Sequence, residues 1–241
     1  DLGNIGTAIR PIYYQSPEII GATSGFRSFD LYWDREQIRY FDTKSPYSNM
    51  NVILGGKGRS ITRVMFSRNI NPRWNFGFTY RGLFIDKQVQ RRGKGDRIAR
   101  SNYYDFYTTY QNKDSTYRLF LNFRRNFHQV DEYGGIMVAD EENYVVSDFT
   151  RVNAQPWLTA AESNDLRNNL HLFHQYKFGK GFQLYHVSDL YRQRNKFIDI
   201  YSLEPKEYFD YIEIDNDSSY DEVNFKTFRN EAGIKGNLLK L

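Results

Sequence analysis

The stretch Trp74–Phe84 constrains the fold more than any other part of the chain. Its even positions carry Trp74, Phe76, Phe78, Tyr80 and Phe84, broken only by Gly82, and its odd positions carry Asn75, Gly77, Thr79, Arg81 and Leu83. Successive side chains of a strand point to opposite faces, so this pattern predicts a strand with one aromatic face and one mostly small, polar face. Alternation of period two over this length is incompatible with a helix. The length also suits a tilted strand crossing a bilayer, which takes roughly 9–11 residues.

The pattern recurs. Tyr117, Leu119, Leu121 and Phe123 alternate with Arg118, Phe120, Asn122 and Arg124. Leu170, Leu172, His174, Tyr176 and Phe178 alternate with Asn169, His171, Phe173, Gln175 and Lys177. Eight strands are predicted, at 47–55, 60–69, 73–86, 102–111, 115–128, 164–178, 181–196 and 221–235. The six prolines (Pro11, Pro17, Pro46, Pro72, Pro156 and Pro205) fall outside them, as expected of residues that cannot donate to a sheet ladder. Tight links (Asn69-Ile70-Asn71-Pro72, Asn112-Lys113-Asp114, Gly179-Lys180) alternate with long ones at about 87–101, 129–163 and 197–220. Short turns on one side and long loops on the other fit an outer-membrane barrel; the short Gly55–Arg59 link is the exception.

Composition narrows the classes. The chain has 241 residues, no cysteine, 20 Tyr and 19 Phe, which excludes a disulfide framework and thiolate chemistry. No apolar run is long enough for a transmembrane helix. The net charge of +4 comes from scattered residues, not the clustered basic face that nucleic-acid binding requires. Residues 85–101 hold six basic and two acidic groups, whereas 196–222 hold nine acidic and two basic. Such opposed loops would be solvated, tie to one another or bind cations that bridge lipopolysaccharide. Residues 1–46 are broken by glycine and proline and read as an extended lead-in, as a lumen-associated segment tucked inside a barrel, or as a short hairpin of Phe29–Trp33 with Gln37–Phe41. Residues 47–241 form the strand-bearing part.

Several blocks resemble the putative β-barrel porin family of Bacteroidota outer membranes: Leu2-Gly3-Asn4-Ile5-Gly6-Thr7-Ala8, Tyr40-Phe41-Asp42-Thr43-Lys44-Ser45-Pro46-Tyr47, Asn69-Ile70-Asn71-Pro72-Arg73-Trp74-Asn75-Phe76-Gly77 and Glu132-Tyr133-Gly134-Gly135-Ile136. They lie within residues 2–136. The resemblance implies an all-β, antiparallel transmembrane β-barrel of a Gram-negative outer membrane. Members are longer and end in an aromatic residue, whereas this chain begins at Asp1 and ends at Leu241, so the expectation is an incomplete portion of a larger barrel with about eight strands here.

In such a barrel Trp74, Phe76, Phe78, Tyr80, Tyr117, Leu119, Leu121, Phe123, Leu170, Leu172, Tyr176 and Phe178 would face lipid, where a central lysine or arginine costs ~2–4 kcal/mol. The opposite face would line the pore with Arg63, Arg81, Asp105, Arg118, Arg124, Arg167, Lys177 and Asp189. Six basic groups against two acidic favour anions weakly, unless they pair across strands and only fill the interior. No catalytic constellation, cofactor motif or metal site is predicted. His171 and His174 fall on opposite faces of one strand, Asp140-Glu141-Glu142 is a loop cluster with only a remote claim to calcium, and Gly93-Lys94-Gly95 lacks a phosphate-loop context.

The expected function is porin-like passive diffusion of small hydrophilic solutes, with outer-membrane lipid and lipopolysaccharide as surroundings and no nucleic acid. The alternatives are a structural or accessory barrel working with outer-membrane protein partners in a secretion or surface-assembly complex, and a soluble β-sandwich that binds carbohydrate on exposed aromatics.

Overall fold

The computed structural model describes residues 5–14, 23–33, 38–56, 58–89, 93, 95–137, 154–179, 181–200 and 218–236. Eight long strands form one antiparallel sheet: β1 (Tyr47–Gly55), β2 (Arg59–Asn71), β3 (Trp74–Asp86), β4 (Arg97–Gln111), β5 (Tyr117–Glu132), β8 (Ala161–Phe178), β9 (Phe182–Ile200) and β10 (Ser218–Gly236). β6 (Ile136–Met137) and β7 (Gln155–Pro156) pair with each other between β5 and β8. The long strands pair in chain order, β1-β2-β3-β4-β5-β8-β9-β10. β1 and β10 are the two edges, so the sheet is an open barrel wall. No helix among the described residues is long and apolar enough to cross a membrane.

Every predicted strand is present. Five run further than the apolar alternation indicates, all toward the long loops: β4 starts at Arg97, β5 continues to Glu132, β8 starts at Ala161, β9 continues to Ile200 and β10 starts at Ser218. Beyond Phe106, Phe123, Leu170 and Leu190 one face turns polar, yet the antiparallel ladder continues without interruption. Backbone pairing, which side-chain polarity does not reveal, carries these ends. Pro156 stands in β7, against the expectation for prolines; a two-residue bridge does not need its missing N–H.

The turns are locally determined. Arg73 N donates to Asn71 Oδ1 at 2.9 Å between β2 and β3. Between β4 and β5, Asn112 Oδ1 accepts from Tyr117 N at 3.0 Å and Asn112 Nδ2 donates to Thr116 Oγ1 at 2.7 Å. These side-chain bonds close the turns as asparagine commonly does.

The hairpin alternative for residues 29–41 does not form on its first arm. Asp30–Tyr32 is a short 3-10 turn, which aims Phe29 and Tyr32 into one apolar cluster with Leu83, Ile85, Ile98, Ala99 and Val130. A strand would have pointed Phe29 and Tyr32 to opposite faces. Residues 34–37 lie outside the described residues.

Candidate functional site

Cross-strand register assigns every side chain of the sheet to one of two faces. Arg63 pairs with Arg81, and Arg81 with Tyr103. Asp105 pairs with Arg124, and Arg124 with Asn169. Arg118 pairs with Gln175, Arg167 with Gln193, Lys177 with Gln183 and Asp189 with His171. All eight residues expected at a pore lie on this one face, at odd positions of β2, β3, β4, β8 and β9 and even positions of β5. The twelve residues expected at lipid lie together on the other.

The two faces are inverted relative to a water-soluble protein. On the face expected at lipid, Trp74, Phe76, Phe106, Phe123, Leu170, Tyr176, Phe178, Phe182, Leu184, Leu190, Phe228 and Ile234 are exposed, Phe106 by half of its surface. On the other face Ser67, Asn75, Thr79, Asp105, Asn122, Asn126, His128, Asp165, Arg167 and Gln193 are buried. The apolar face is bounded. It spans Leu170–Phe178 on β8 and Phe182–Leu190 on β9, about 27 Å along a strand, comparable with the ~25 Å apolar band of an outer-membrane barrel. Above it the same face carries Arg125, Gln129, Glu162, Asn164, Arg194 and Lys196.

Polar groups inside the apolar belt satisfy one another. His174 Nε2 lies 3.0 Å from His186 Nδ1, and His186 Nε2 lies 3.2 Å from Asn230 Oδ1. Since the amide oxygen only accepts, His186 donates to Asn230 through Nε2. Trp74 Nε1 donates to Thr108 Oγ1 at 2.7 Å near the turn end, where amphipathic rings suit the headgroup level.

Described parts of the N-terminal segment, at residues 5–9, 23–33 and 38–43, lie over the polar face as a strap. Its upper part reaches the long-loop end: Gly6 N donates to the Tyr32 hydroxyl at 2.9 Å, Tyr32 donates to Thr7 O at 2.9 Å, and the Tyr32 ring stacks on His128 at 4.4 Å. Gly6 adopts φ +98 with its Cα against Ala99, a conformation and an approach that favour glycine. Midway, Arg81 Nη2 donates to Tyr32 O at 2.5 Å, Arg124 lies 5.1 Å from the Trp33 ring, and Arg167 Nη1 pairs with Asp30 Oδ1 at 2.8 Å. Lower down, Asn122 Nδ2 donates to the Tyr40 hydroxyl at 2.7 Å, and Tyr40 meets Tyr107 and Phe120 edge-on. At the short-turn end Asn69 Nδ2 donates to Asp42 Oδ1 at 2.6 Å. Burial pushes the Tyr32 and Tyr40 phenols up, so both stay protonated.

Of the eight expected pore residues, Arg81, Arg124 and Arg167 therefore meet the strap, and Arg167 also holds Asp165 through Nε and Nη2 at 2.8 and 2.6 Å. Asp189 accepts from His171 Nδ1 at 2.6 Å. Arg118 and Lys177 stand apart near the short turns. Asp165, Asp199 and Glu231 share this face, as do Arg59, Arg229 and Lys235. Asp165 was legible from alternation, being two residues before Arg167; the strap partners Asp30, Trp33 and Tyr40 carry no periodic signal.

Among the described residues no group of three or more His, Cys, Asp or Glu gathers as a metal site. The Asp140–Glu142 cluster and most of the acidic 196–222 stretch lie outside the described residues. At the base of the basic loop, Lys87 pairs with Asp131 at 2.7 Å and Asp96 at 3.5 Å, and Arg97 with Asp86 at 3.1 Å.

An apolar belt facing out, a charged face turned in, short turns at one rim and long connections at the other define the wall of a transmembrane β-barrel, the architecture of an outer-membrane pore. The family model described as "Putative porin" matches residues 1–240, and the chain belongs to that family. It is a porin-like outer-membrane protein. No curated protein and no solved structure matches it.

Proposed function

We propose that the protein is a channel for passive diffusion of small hydrophilic solutes across the outer membrane of a Gram-negative bacterium, with a weak preference for anions. The observation that carries this reading is the opposition of the two faces: a continuous polar wall holding Arg63, Arg81, Arg118, Arg124, Arg167 and Lys177, backed by an apolar belt of bilayer dimensions. Charged groups in a water-filled interior select by sign, and no covalent chemistry or cofactor enters. Outer-membrane lipid and lipopolysaccharide are its surroundings. Reconstitution into a planar bilayer with a salt gradient tests the reading. Stepwise conductance with a reversal potential displaced toward the anion supports it, a cation-selective potential ends the anion preference, and the absence of steps removes the channel.

A second reading, an accessory barrel acting within a secretion or surface-assembly complex, draws support from the strap that occupies the polar face. A silent barrel that co-purifies in fixed ratio with outer-membrane proteins would favour it. The soluble sandwich needs a second large sheet over the apolar face; among the described residues the other sheet is the two-stranded β6–β7 pair.

A further inference from the structure

The strand register divides the outward face of the wall into horizontal rows, and the chemistry changes abruptly between two of them. The top row of the apolar belt runs Phe106, Phe123, Leu170, Leu190 and Phe228 across β4, β5, β8, β9 and β10. One step nearer the long loops, the same five strands carry Tyr104, Arg125, Asn168, Arg192 and Lys226. One step further, Arg194 stands above Arg192 and opposite Asn224. We propose that Arg125, Arg192, Arg194 and Lys226 form a binding site for the phosphate groups of an outer-leaflet glycolipid, the lipid A portion of lipopolysaccharide, whose acyl chains lie on the apolar row below. The inference rests on the outer-membrane setting of the proposed function, with the long connections outward, and not on conduction.

Three observations carry it. The first is level. The belt on β8 and β9 ends at Leu170 and Leu190, so the row immediately above stands where hydrocarbon gives way to headgroups. On β3 and β4 that row is Tyr80 and Tyr104, the amphipathic residues common at any membrane border. From β5 onward the border is cationic instead, which makes the patch a local feature of the wall.

The second is sign. From β5 to β10 the two rows above the belt hold these four cations and no carboxylate. The acids of this face begin only in the third row, with Glu222 opposite Lys196, and continue in the fourth with Glu162 opposite Asp131. Arg125, Arg192 and Lys226 are exposed. Among the described residues none of the four forms an ion pair. Arg192 Nε donates to the neutral Asn224 Oδ1 at 3.2 Å, which leaves its charge uncompensated by protein.

The third is spacing. Paired strands lie about 4.8 Å apart, and residues two apart on one strand about 6.6 Å. Lys226 is the direct partner of Arg192, and Arg194 is two residues along from it. This triangle suits one phosphate, which a guanidinium grips through paired N–H donors. Arg125 lies two strands away, with Asn168 between, and reaches the adjoining part of the same headgroup.

The full chain, folded in detergent micelles, is mixed with lipid A, dephosphorylated lipid A or phosphatidylglycerol, and bound lipid is counted by native mass spectrometry. Wild-type protein is expected to retain lipid A at least tenfold better than either of the others, a comparison that needs no variant. Arg125→Gln, Arg192→Gln and Lys226→Gln together should abolish that preference. Arg68→Gln, Arg73→Gln and Lys113→Gln, three exposed cations at the short-turn end, should preserve it, with folding of both triple variants checked by heat-modifiable migration on gels. Equal retention of the two lipid A forms, equal retention of phosphatidylglycerol, or equal losses in the two triple variants overturns the site. Conductance is read separately in planar bilayers. A conducting protein without the phosphate preference overturns this inference alone. A silent barrel that still selects lipid A removes the channel and keeps the site, and a chain that stays folded and soluble without detergent removes both.

Discussion

The imidazole of His128 donates through Nε2 to the carbonyl oxygen of Gly6 across 2.8 Å, joining the upper part of the wall's fifth strand to the first described turn of the chain. A carbonyl oxygen only accepts, so the tautomer is fixed by its partner. The same ring stacks on Tyr32 and touches Phe29 at 4.7 Å between centroids. His128→Ala removes the bond and both ring contacts. Loosening of the upper strap by about 1–3 kcal/mol is expected, visible as faster proteolysis within residues 5–14 while the sheet stays resistant. Unchanged cleavage would show that this anchor does not hold the strap.

A methyl group at Gly77 would sit 2.1–2.5 Å from the ring and hydroxyl of Tyr107. Tyr107 is itself tied to Ser67 Oγ at 3.0 Å and receives the edge of Tyr40. Gly77→Ala must therefore displace that ring, at a cost of about 1–3 kcal/mol, in a strand where alanine would otherwise be harmless. Urea unfolding from lipid vesicles measures it, and a Tyr107→Ala background should remove most of the difference.

The inversion of the faces predicts an asymmetry between substitutions. Phe106 is half exposed on the apolar face near the middle of β4. Phe106→Arg should cost ~2–4 kcal/mol in a bilayer-folding titration. Lys177→Ala, on the polar face, should stay within about 0.5 kcal/mol. Equal costs for the two would contradict a lipid-facing belt.

Lys87 lies outside the strands, between Asp131 and Asp96. Burial by itself lowers its pKa, but the bonds and charges of Asp131 and Asp96 outweigh this and leave it above the ordinary value of 10.5. A lysine raised in the folded state contributes stability below its unfolded pKa and loses it as pH climbs through the folded one. The base of the 87–96 loop should therefore stay closed through neutral and mildly alkaline conditions and open above the usual lysine range. Alkaline titration of loop proteolysis checks this, and Lys87→Met should open the loop at every pH.

Much of the wall was readable because lipid and lumen impose alternation directly on side chains. The Trp74–Phe84 stretch, the Tyr117–Phe123 run and the Leu170–Phe178 run fix strand type, face and turn position without any long-range information. The alternation fades at Phe106, Phe123, Leu170 and Leu190 because polar residues appear on both faces above those points, so ladder bonds such as those from Asp165 to Asn195 leave no mark on composition. A lumen-associated segment was one of the alternatives for residues 1–46, but the contacts of the strap were hidden for a different reason. Asp30, Tyr32, Trp33 and Tyr40 find partners 49 to 137 positions away, and no local rule encodes contacts of that separation. Its role as a cover for Arg81 and Arg167 follows only from the assembled sheet.

The strands lengthen along the chain, from 9 residues in β1 through 13, 13, 15 and 16 to 18, 19 and 19 in β8, β9 and β10. Their short turns share one level, so the surplus accumulates at the opposite rim. With the belt in hydrocarbon, the upper third to half of β8, β9 and β10 stands clear of the bilayer, roughly 30 Å of additional strand at about 3.3 Å per residue. The rim thus climbs from a low sill at β1 to a tall parapet at β10. A solute arriving from outside would meet a slanted vestibule, with a bare flank on one side and a polar rampart on the other.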